Sequence, residues 1–357
     1  MFNSERLKTA RERRMLTSKG LAERVGVSAV TFSKYENGHE PDAATANRIA
    51  DELDYPIDFF YREAPERLNT DSVSFRSLSR MKASERRAAE AAGSLGIELY
   101  EWIDKRFNLP ASDLIDLSKE RRRPFVAARL LRQHWGLGDR PIGNVLKLIE
   151  SKGVRVLSLS EKTKNVDAYS FWRGNHPYVF LNQEKTAERS IFDTAHELGH
   201  LVLHHHAGAN SDKEAETQAD RFAAAFLMPE SDVMNYAHLF RASEIISAKK
   251  RWKVAAVAFA YRLHSLKYIS EWNYRSLMIE LGKRGYRSGE PDGVQRETST
   301  VLAKVLSALW SKAMTKNDIA KDRGIPLEEI EALLFRLSPV RSAFAGSTSK
   351  PGLKAVT

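Results

Sequence analysis

The segment His196-Glu197-Leu198-Gly199-His200 places two imidazoles four residues apart, with a carboxylate between them. In an α-helix, residues four apart lie about 40° apart around the axis and roughly 6 Å along it, so both rings can reach one metal ion. Glu197 then points beside the ion, where it can take a proton from metal-activated water and deliver it to a leaving amine. The spacing therefore predicts a helix that offers two metal ligands and a general base, a set suited to peptide-bond hydrolysis.

His204 continues the four-residue spacing, but it does not complete this site. It lies about 12 Å along the helix axis from His196, whereas zinc needs its ligand nitrogens within about 2.1 Å. We interpret His204, His205 and His206 as a solvated helix end, because histidines near a C-terminus complement the helix dipole.

A second helix is predicted to begin near Glu216, because apolar residues recur there at helical spacing until Pro229. Residues 207–212 have the composition of a turn that would fold this helix back beside the first. Glu216 can then supply the third ligand and leave one position open to water.

Glu214 is the rival third ligand, and the residue one turn after each candidate separates the two. Asp220 follows Glu216 and can accept the second N–H of a ligating histidine, which fixes its tautomer. Gln218 follows Glu214 and lacks the charge for that supporting role. We therefore favour Glu216.

Further motifs surround the histidine pair. They are residues 189–204, Ala219-Asp220-Arg221-Phe222-Ala223, Leu227-Met228-Pro229, Trp135-Gly136-Leu137-Gly138, Pro141-Ile142, Gly153-Val154-Arg155-Val156 and Pro177-Tyr178-Val179-Phe180-Leu181-Asn182. Over about residues 125–235, they resemble the ImmA/IrrE family of zinc metallopeptidases. The resemblance implies Zn²⁺, with Mn²⁺ as an alternative, on His196, His200 and Glu216, and Glu197 as general base. It also implies a bacterial protease that cleaves a DNA-bound repressor in response to a signal such as stress.

A different class of function stays open, because such a motif can persist on a fold that has lost its metal. No expected ligand is substituted in this chain, so a blocked cleft would have to cause the loss. The second hypothesis is a non-proteolytic regulator or antitoxin whose peptidase-like cleft senses a ligand or binds a toxin.

Helical periodicity over residues 4–14 and 19–25 predicts two short helices at the start of the chain. Gly26 ends the second, and Ser28 can cap a third that runs through Tyr35, an arrangement typical of a helix-turn-helix. The runs Leu21-Ala22-Glu23-Arg24-Val25-Gly26-Val27-Ser28 and Phe32-Ser33-Lys34-Tyr35-Glu36-Asn37-Gly38 resemble the lambda-repressor-like XRE family, over about residues 4–62. The resemblance implies that the third helix enters the major groove of an operator.

Seven residues are candidate DNA contacts: Ser18, Ser28, Ala29, Val30, Thr31, Ser33 and Lys34. Ala29 and Val30 stand where the family often carries an amide, which leaves apolar contact to thymine methyls. Residues 1–35 carry eight Arg or Lys against three acids, and residues 36–60 carry one against seven. This polarity suits one face turned toward phosphates. The alternative is an XRE module used for protein contacts.

The composition is compatible with a regulatory protein that binds DNA. The 357 residues carry a net charge of +10, which suits a polyanionic partner, and no cysteine, which excludes disulfides and thiolate zinc sites. We see no signal peptide or membrane span, so we expect a cytoplasmic, nucleoid-associated protein without a membrane partner. The expected partners are double-stranded operator DNA, a protein substrate such as an XRE-type repressor, or a toxin, and a second copy in a homodimer.

We expect a mainly α fold with a small β-sheet (α+β). The predicted strands are residues 154–157, 170–172 and 178–181, and the last is the expected edge along which a substrate lies. The domains are 1–65, helix-turn-helix; 66–124, a linker, turn-rich at residues 69–72, with a helical brace; 125–235, zincin-like metallopeptidase; 236–297, a basic helical extension; 298–337, a helical unit; and 338–357, a disordered tail.

Two predictions concern the C-terminal third. A helix over Trp252–Leu266 should bury Val254, Val257, Ala258, Tyr261 and Leu263. Residues 298–337 repeat the helix-turn-helix spacing, but the second helix carries Glu328, Glu329 and Glu331. Phosphates would repel these acids, so we interpret the unit as structural or protein-binding.

Overall fold

Short helices with polar caps build the first unit of the chain. The structure, a computed structural model, describes residues 1–68, 74–75, 82–159, 168–205 and 213–338. The unit contains α1 (Ser4–Arg13), α2 (Ser18–Val25), α3 (Ala29–Glu36), α4 (Ala43–Leu53) and a 3₁₀ turn (Ile57–Tyr61). Gly26 ends α2 at a φ of 76°, and the side chain of Ser28 accepts the N–H of Thr31 at the start of α3. Both caps lie where the sequence predicts them.

The long helix α5 (Ala83–Asp104) joins this unit to the rest of the chain. On one side, α1 binds it through Arg6, whose Nη2 lies 2.8 Å from Glu98 Oε1, and through Arg13, whose Nη1 donates to the carbonyl of Ala88 at 3.2 Å. On the other side, α5 lies against the sheet at Gly96, where an added Cβ would come within 2.5 Å of Leu157 Cδ1. Helix α5 is thus packed between the first unit and the sheet.

The sheet has the order β1-β3-β4-β2, with β1 at Ser74–Phe75, β2 at Arg155–Leu159, β3 at Ala168–Arg173 and β4 at His176–Asn182. Strand β4 pairs parallel with β2 and antiparallel with β3, so it is a central strand. The prediction that residues 178–181 form the substrate edge is wrong. The continuous burial of β4 from Pro177 to Asn182 is the pattern of a strand paired on both sides.

Four helices complete the central region: α6 (Pro124–His134), α7 (Val145–Ser151), α8 (Ala187–Leu203) and α9 (Lys213–Leu227). Helix α8 packs on β3 and β4, and α9 packs against α6 and α8. The two helices α8 and α9 meet at Gly199, where an added Cβ would lie 3.0 Å from Phe222 Cδ1 and 3.3 Å from Ala219 Cα. The predicted turn over residues 207–212 lies outside the described residues, as do residues 69–72, His206 and residues 339–357.

The next region contains α10 (Glu230–Val233), α11 (Ala242–Ala248), α12 (Ala256–Ser265) and α13 (Glu271–Lys283). Helix α12 begins four residues later than predicted and buries Phe259, Ala260 and Leu263. Tyr261 is 55% exposed, so the predicted apolar face is wrong at this residue. Among the described residues, no helix has the length and apolar character that a membrane crossing needs.

The last unit contains α14 (Thr300–Trp310), α15 (Lys316–Arg323) and α16 (Leu327–Leu334), and Gly324 ends α15 at a φ of 61°. Glu329 of α16 is 1% exposed. Its carboxylate lies 2.6 Å from Arg13 Nη2 and accepts the hydroxyl of Tyr55 at 2.9 Å. The acidic helix therefore binds the first unit of its own chain.

The expected fold class, mainly α with a small sheet, is confirmed.

Candidate functional site

The three predicted metal ligands converge on one point between α8 and α9. His196 Nε2 lies 3.0 Å from His200 Nε2 and 3.4 Å from Glu216 Oε2. Glu216 Oε1 lies 3.3 Å from His200 Nε2. The two imidazoles face one way because four residues make just over one helical turn. The carboxylate reaches them because α9 runs back along α8.

The three side chains fit a divalent ion. Ligand atoms that bind zinc tetrahedrally at about 2.1 Å lie roughly 3.4 Å from one another, close to the observed separations. One carboxylate and two imidazoles are also the ligand types of catalytic zinc sites. Burial lowers the pKa of His200 to about 4, so the ring is neutral, as a metal ligand must be. Burial would raise the pKa of Glu216, but the imidazoles of His196 and His200 beside it hold that pKa well below its usual range.

Glu197 lies next to this cluster and is held by the sheet. Its side chain is 0% exposed, and its Oε2 accepts the hydroxyl of Ser170 at 2.6 Å. Ser170 belongs to β3, which contacts α8. Strand β3 therefore fixes the orientation of the Glu197 carboxylate, the predicted general base.

Asp220 lies behind His196, with its Oδ1 2.9 Å from His196 Nδ1. A carboxylate in this place accepts a hydrogen bond from Nδ1–H, which keeps the proton on Nδ1 and leaves the Nε2 lone pair free for a metal. Glu214, the rival ligand, lies apart from the cluster and accepts from the amide of Gln218 at 3.0 Å. Of the two carboxylates, the structure brings Glu216 to the histidines.

Two histidines that follow the motif, His204 and His205, contact other side chains of the chain. His204 Nδ1 lies 3.1 Å from His200 Nδ1, and its Nε2 lies 2.9 Å from Gln218 Oε1. His205 is exposed and stacks on Trp172, with 4.3 Å between ring centroids. The interpretation of His204 as a solvated helix end is wrong, because α9 covers this end of α8.

Two family models match the chain. Residues 149–264 match the IrrE N-terminal-like domain, a peptidase family, and residues 7–60 match a helix-turn-helix family. The chain joins a helix-turn-helix domain to an IrrE-like domain. This confirms the predicted fusion, and the histidine pair lies within the IrrE-like domain. A search of curated proteins gave no match to the chain.

In the helix-turn-helix domain, most of the candidate DNA contacts point to solvent. Ser28, Ala29, Val30, Ser33 and Lys34 are exposed, and Thr31 and Ser18 are half-buried. Val30 is 70% exposed, which is unusual for a large aliphatic side chain and leaves it open to a thymine methyl. The seven residues therefore stay candidates for DNA contact.

The charge argument from the sequence is partly wrong. Of the eight basic residues at positions 1–35, Arg6, Arg11 and Arg13 are less than 9% exposed. Each has a carboxylate partner within the chain; that of Arg11 is Glu36, at 2.7 Å. These guanidinium groups form ion pairs within the protein and are not available to the phosphates of DNA. Lys19 and Lys34 are exposed.

The contacts of Ser170 with Glu197 and of His204 with His200 do not follow from the sequence motifs. Ser170 carries no motif, and its contact with Glu197 depends on how β3 packs under α8. His204 does carry a signal, since it continues the four-residue spacing of the ligands and therefore lies one turn beyond His200 on the same helix face.

Proposed function

We propose that the chain is a DNA-binding transcriptional regulator whose IrrE-like domain hydrolyses a peptide bond in a partner protein. The observation that carries the proposal is the convergence of His196, His200 and Glu216 beside Glu197. These three side chains would hold Zn²⁺, or Mn²⁺, which acts as a Lewis acid and lowers the pKa of water when bound.

The protein's own groups would then direct the proton. Glu197 takes it from water and delivers it to the leaving amine, while Ser170 keeps the carboxylate oriented. Asp220 holds His196 in the tautomer that binds a metal. Because Glu197 is tied to β3, we place the substrate peptide on the β3 side of the sheet.

A DNA-bound protein is the substrate class that this domain combination favours. A helix-turn-helix on the same chain brings the hydrolytic site to proteins on the same operator, which raises their effective concentration. We propose an XRE-type repressor, or another copy of this chain, as that substrate. Helix-turn-helix modules commonly bind paired half-sites, so we propose a homodimer on the operator.

The test incubates the full chain, loaded with Zn²⁺ or Mn²⁺, with the product of the adjacent repressor gene. The wild type should produce defined fragments, and Glu197→Gln should produce none while it keeps the same metal content. Glu280→Gln, in the C-terminal extension, is the matched control and should cleave normally. Identical fragments from the wild type and Glu197→Gln would refute the proteolytic role.

A second function is favoured by the burial of the site. His196 and Glu197 are both 0% exposed, so neither presents surface to a substrate in this conformation. A non-proteolytic regulator or antitoxin would use the closed domain to sense a ligand or bind a toxin. Full repression and full response to the signal by Glu197→Gln would favour this function, as would a toxin-sized neighbouring gene.

A further inference from the structure

One hydrogen-bonded chain behind the metal ligands has no part in the roles assigned so far. It runs from His200 to His204, then to Gln218, and ends on the carboxylate of Glu214. The three links measure 3.1, 2.9 and 3.0 Å. His204 meets Nδ1 of His200, the nitrogen opposite the one that faces Glu216. It therefore lies behind the ligand, where it cannot be a further ligand itself.

We propose that His204, Gln218 and Glu214 are positioning residues that hold His200 in its metal-binding tautomer. The inference rests on the proposed metal site, and it gives His200 the counterpart of the support that Asp220 gives to His196. The argument depends on the direction of each hydrogen bond.

The direction of the hydrogen bonds is set at Glu214, the last residue of the hydrogen-bonded series. An ionised carboxylate only accepts, so Glu214 must face the amide nitrogen of Gln218. The amide oxygen of Gln218 then faces His204, and it can only accept from His204 Nε2–H. With its proton on Nε2, neutral His204 presents a bare Nδ1, which accepts from His200 Nδ1–H. The proton of His200 is thereby held on Nδ1, and the lone pair on Nε2 stays directed at the metal position.

The opposite direction fails at one link. If the amide of Gln218 were flipped, its oxygen would face the oxygen of Glu214, and two acceptors would meet at about 3 Å. The exposed Glu214 therefore determines the tautomer of a buried ligand three side chains away. Since the partner of His200 is a neutral ring, its support should be weaker than that of the carboxylate of Asp220.

The test measures the affinity of the full chain for Co²⁺ and Zn²⁺, by competition with a chelator and by the visible absorption of bound Co²⁺. His204→Phe keeps the shape of the ring and removes both nitrogens, so affinity should fall about 10- to 100-fold. His205→Phe makes the same change one residue later and should stay within twofold of the wild type. Glu214→Gln, on the surface, should reduce affinity about fivefold without affecting the unfolding temperature.

A double variant separates positioning from local damage. If Glu214 acts through His204, then His204→Phe with Glu214→Gln should bind metal no more weakly than His204→Phe alone. If the two losses of metal affinity add in the double variant, Glu214 does not act through His204, and the inference is overturned. Wild-type affinity in His204→Phe, with a clear loss in Asp220→Ala, would overturn this inference and leave the metal site intact. No metal binding by the wild type would overturn both.

Discussion

At the scale of single residues, the orientation of Glu197 is the feature most open to test. The hydroxyl of Ser170 donates to its Oε2 at 2.6 Å in a buried setting. A hydrogen bond to a charged group is worth roughly 1.5 kcal/mol, or about tenfold in rate.

Ser170→Ala should therefore lower kcat for cleavage about tenfold, while the metal content stays unchanged. Ser158→Ala is the matched control, because Ser158 is also buried in the sheet but bonds to the carbonyl of Leu159. Equal rates for the two variants would show that Ser170 does not orient the base.

The residues of this site differ in how far the sequence could predict them. The two histidines and Glu197 follow from helical spacing alone, since they lie within about one turn of one helix, and Asp220 follows from its place one turn after Glu216. Ser170 and Gln218 depend on which faces of β3, α8 and α9 meet, and a single sequence carries no signal for that packing.

At the scale of secondary-structure elements, the contact of α8 with α9 depends on a residue without a side chain. A Cβ at Gly199 would lie 3.3 Å from the backbone of Ala219, which cannot rotate away. Helix α9 carries Glu216, so a shift of α9 moves this carboxylate away from the histidines.

Gly199→Ala should therefore weaken Zn²⁺ binding, and the overpacking should cost about 1–3 kcal/mol in the free energy of unfolding. Alanine gains up to about 1 kcal/mol in helix propensity, which opposes that loss. Gly143→Ala is the control, since nothing lies within 4 Å of a Cβ there. Zinc affinity and urea unfolding measure both effects, and unchanged affinity with greater stability would contradict the prediction.

Two substitutions in α3 should distinguish a contact with DNA phosphates from a contact with a base. Lys34→Ala should weaken binding to all sequences and reduce the slope of log affinity against log salt by about 1. Val30→Ala should reduce discrimination at one A·T pair by about 1 kcal/mol, with an unchanged salt slope. Lys283→Ala, in α13, is the control. Titration of a labelled operator at several salt concentrations distinguishes the two outcomes, and an unchanged slope for Lys34→Ala would remove it from the interface.

The positions of α2 and α3 follow closely from the sequence because caps and glycines are local signals. Helices α2 and α3 begin and end within a residue of the predicted bounds, since Gly26 and Ser28 act on their own neighbours. The position of β4 in the sheet was predicted wrongly, because strand order depends on pairing between distant segments.

At the scale of the whole molecule, α16 packs against the first unit of the chain through Glu329. The carboxylate of Glu329 accepts two hydrogen bonds from Arg13, through Nε and Nη2, and a third from Tyr55. The sequence predicted that this acidic helix avoids DNA, but it could not identify a partner 316 residues away.

Glu329→Gln leaves Arg13 buried without a counter-charge and should cost about 3–5 kcal/mol in the free energy of unfolding. Glu331→Gln, exposed on the same helix, should change it little. Urea unfolding at pH 7 measures the difference, and equal values for the two variants would contradict a stabilising role for the buried pair.

The same carboxylate predicts a dependence on pH. Burial would raise the pKa of Glu329, but Arg13, Tyr55 and Arg14 hold it below the usual 4.5. A lowered folded pKa stabilises the protein above about pH 4.5 and loses this effect as pH falls through the folded value. Between pH 6 and pH 3 the wild type should therefore lose more stability than Glu329→Gln. Parallel loss in both proteins would exclude this carboxylate as the cause.

Helix α5 lies between α1 and the sheet, so the helix-turn-helix domain and the histidine cluster belong to one framework. On the proposed function, a copy bound to DNA would therefore hold its histidine cluster at a set angle around the double helix. B-DNA repeats about every 10.5 base pairs. Inserting five base pairs between the operator and the binding site of the target would turn that target to the opposite side of the DNA, and ten would bring it back into phase.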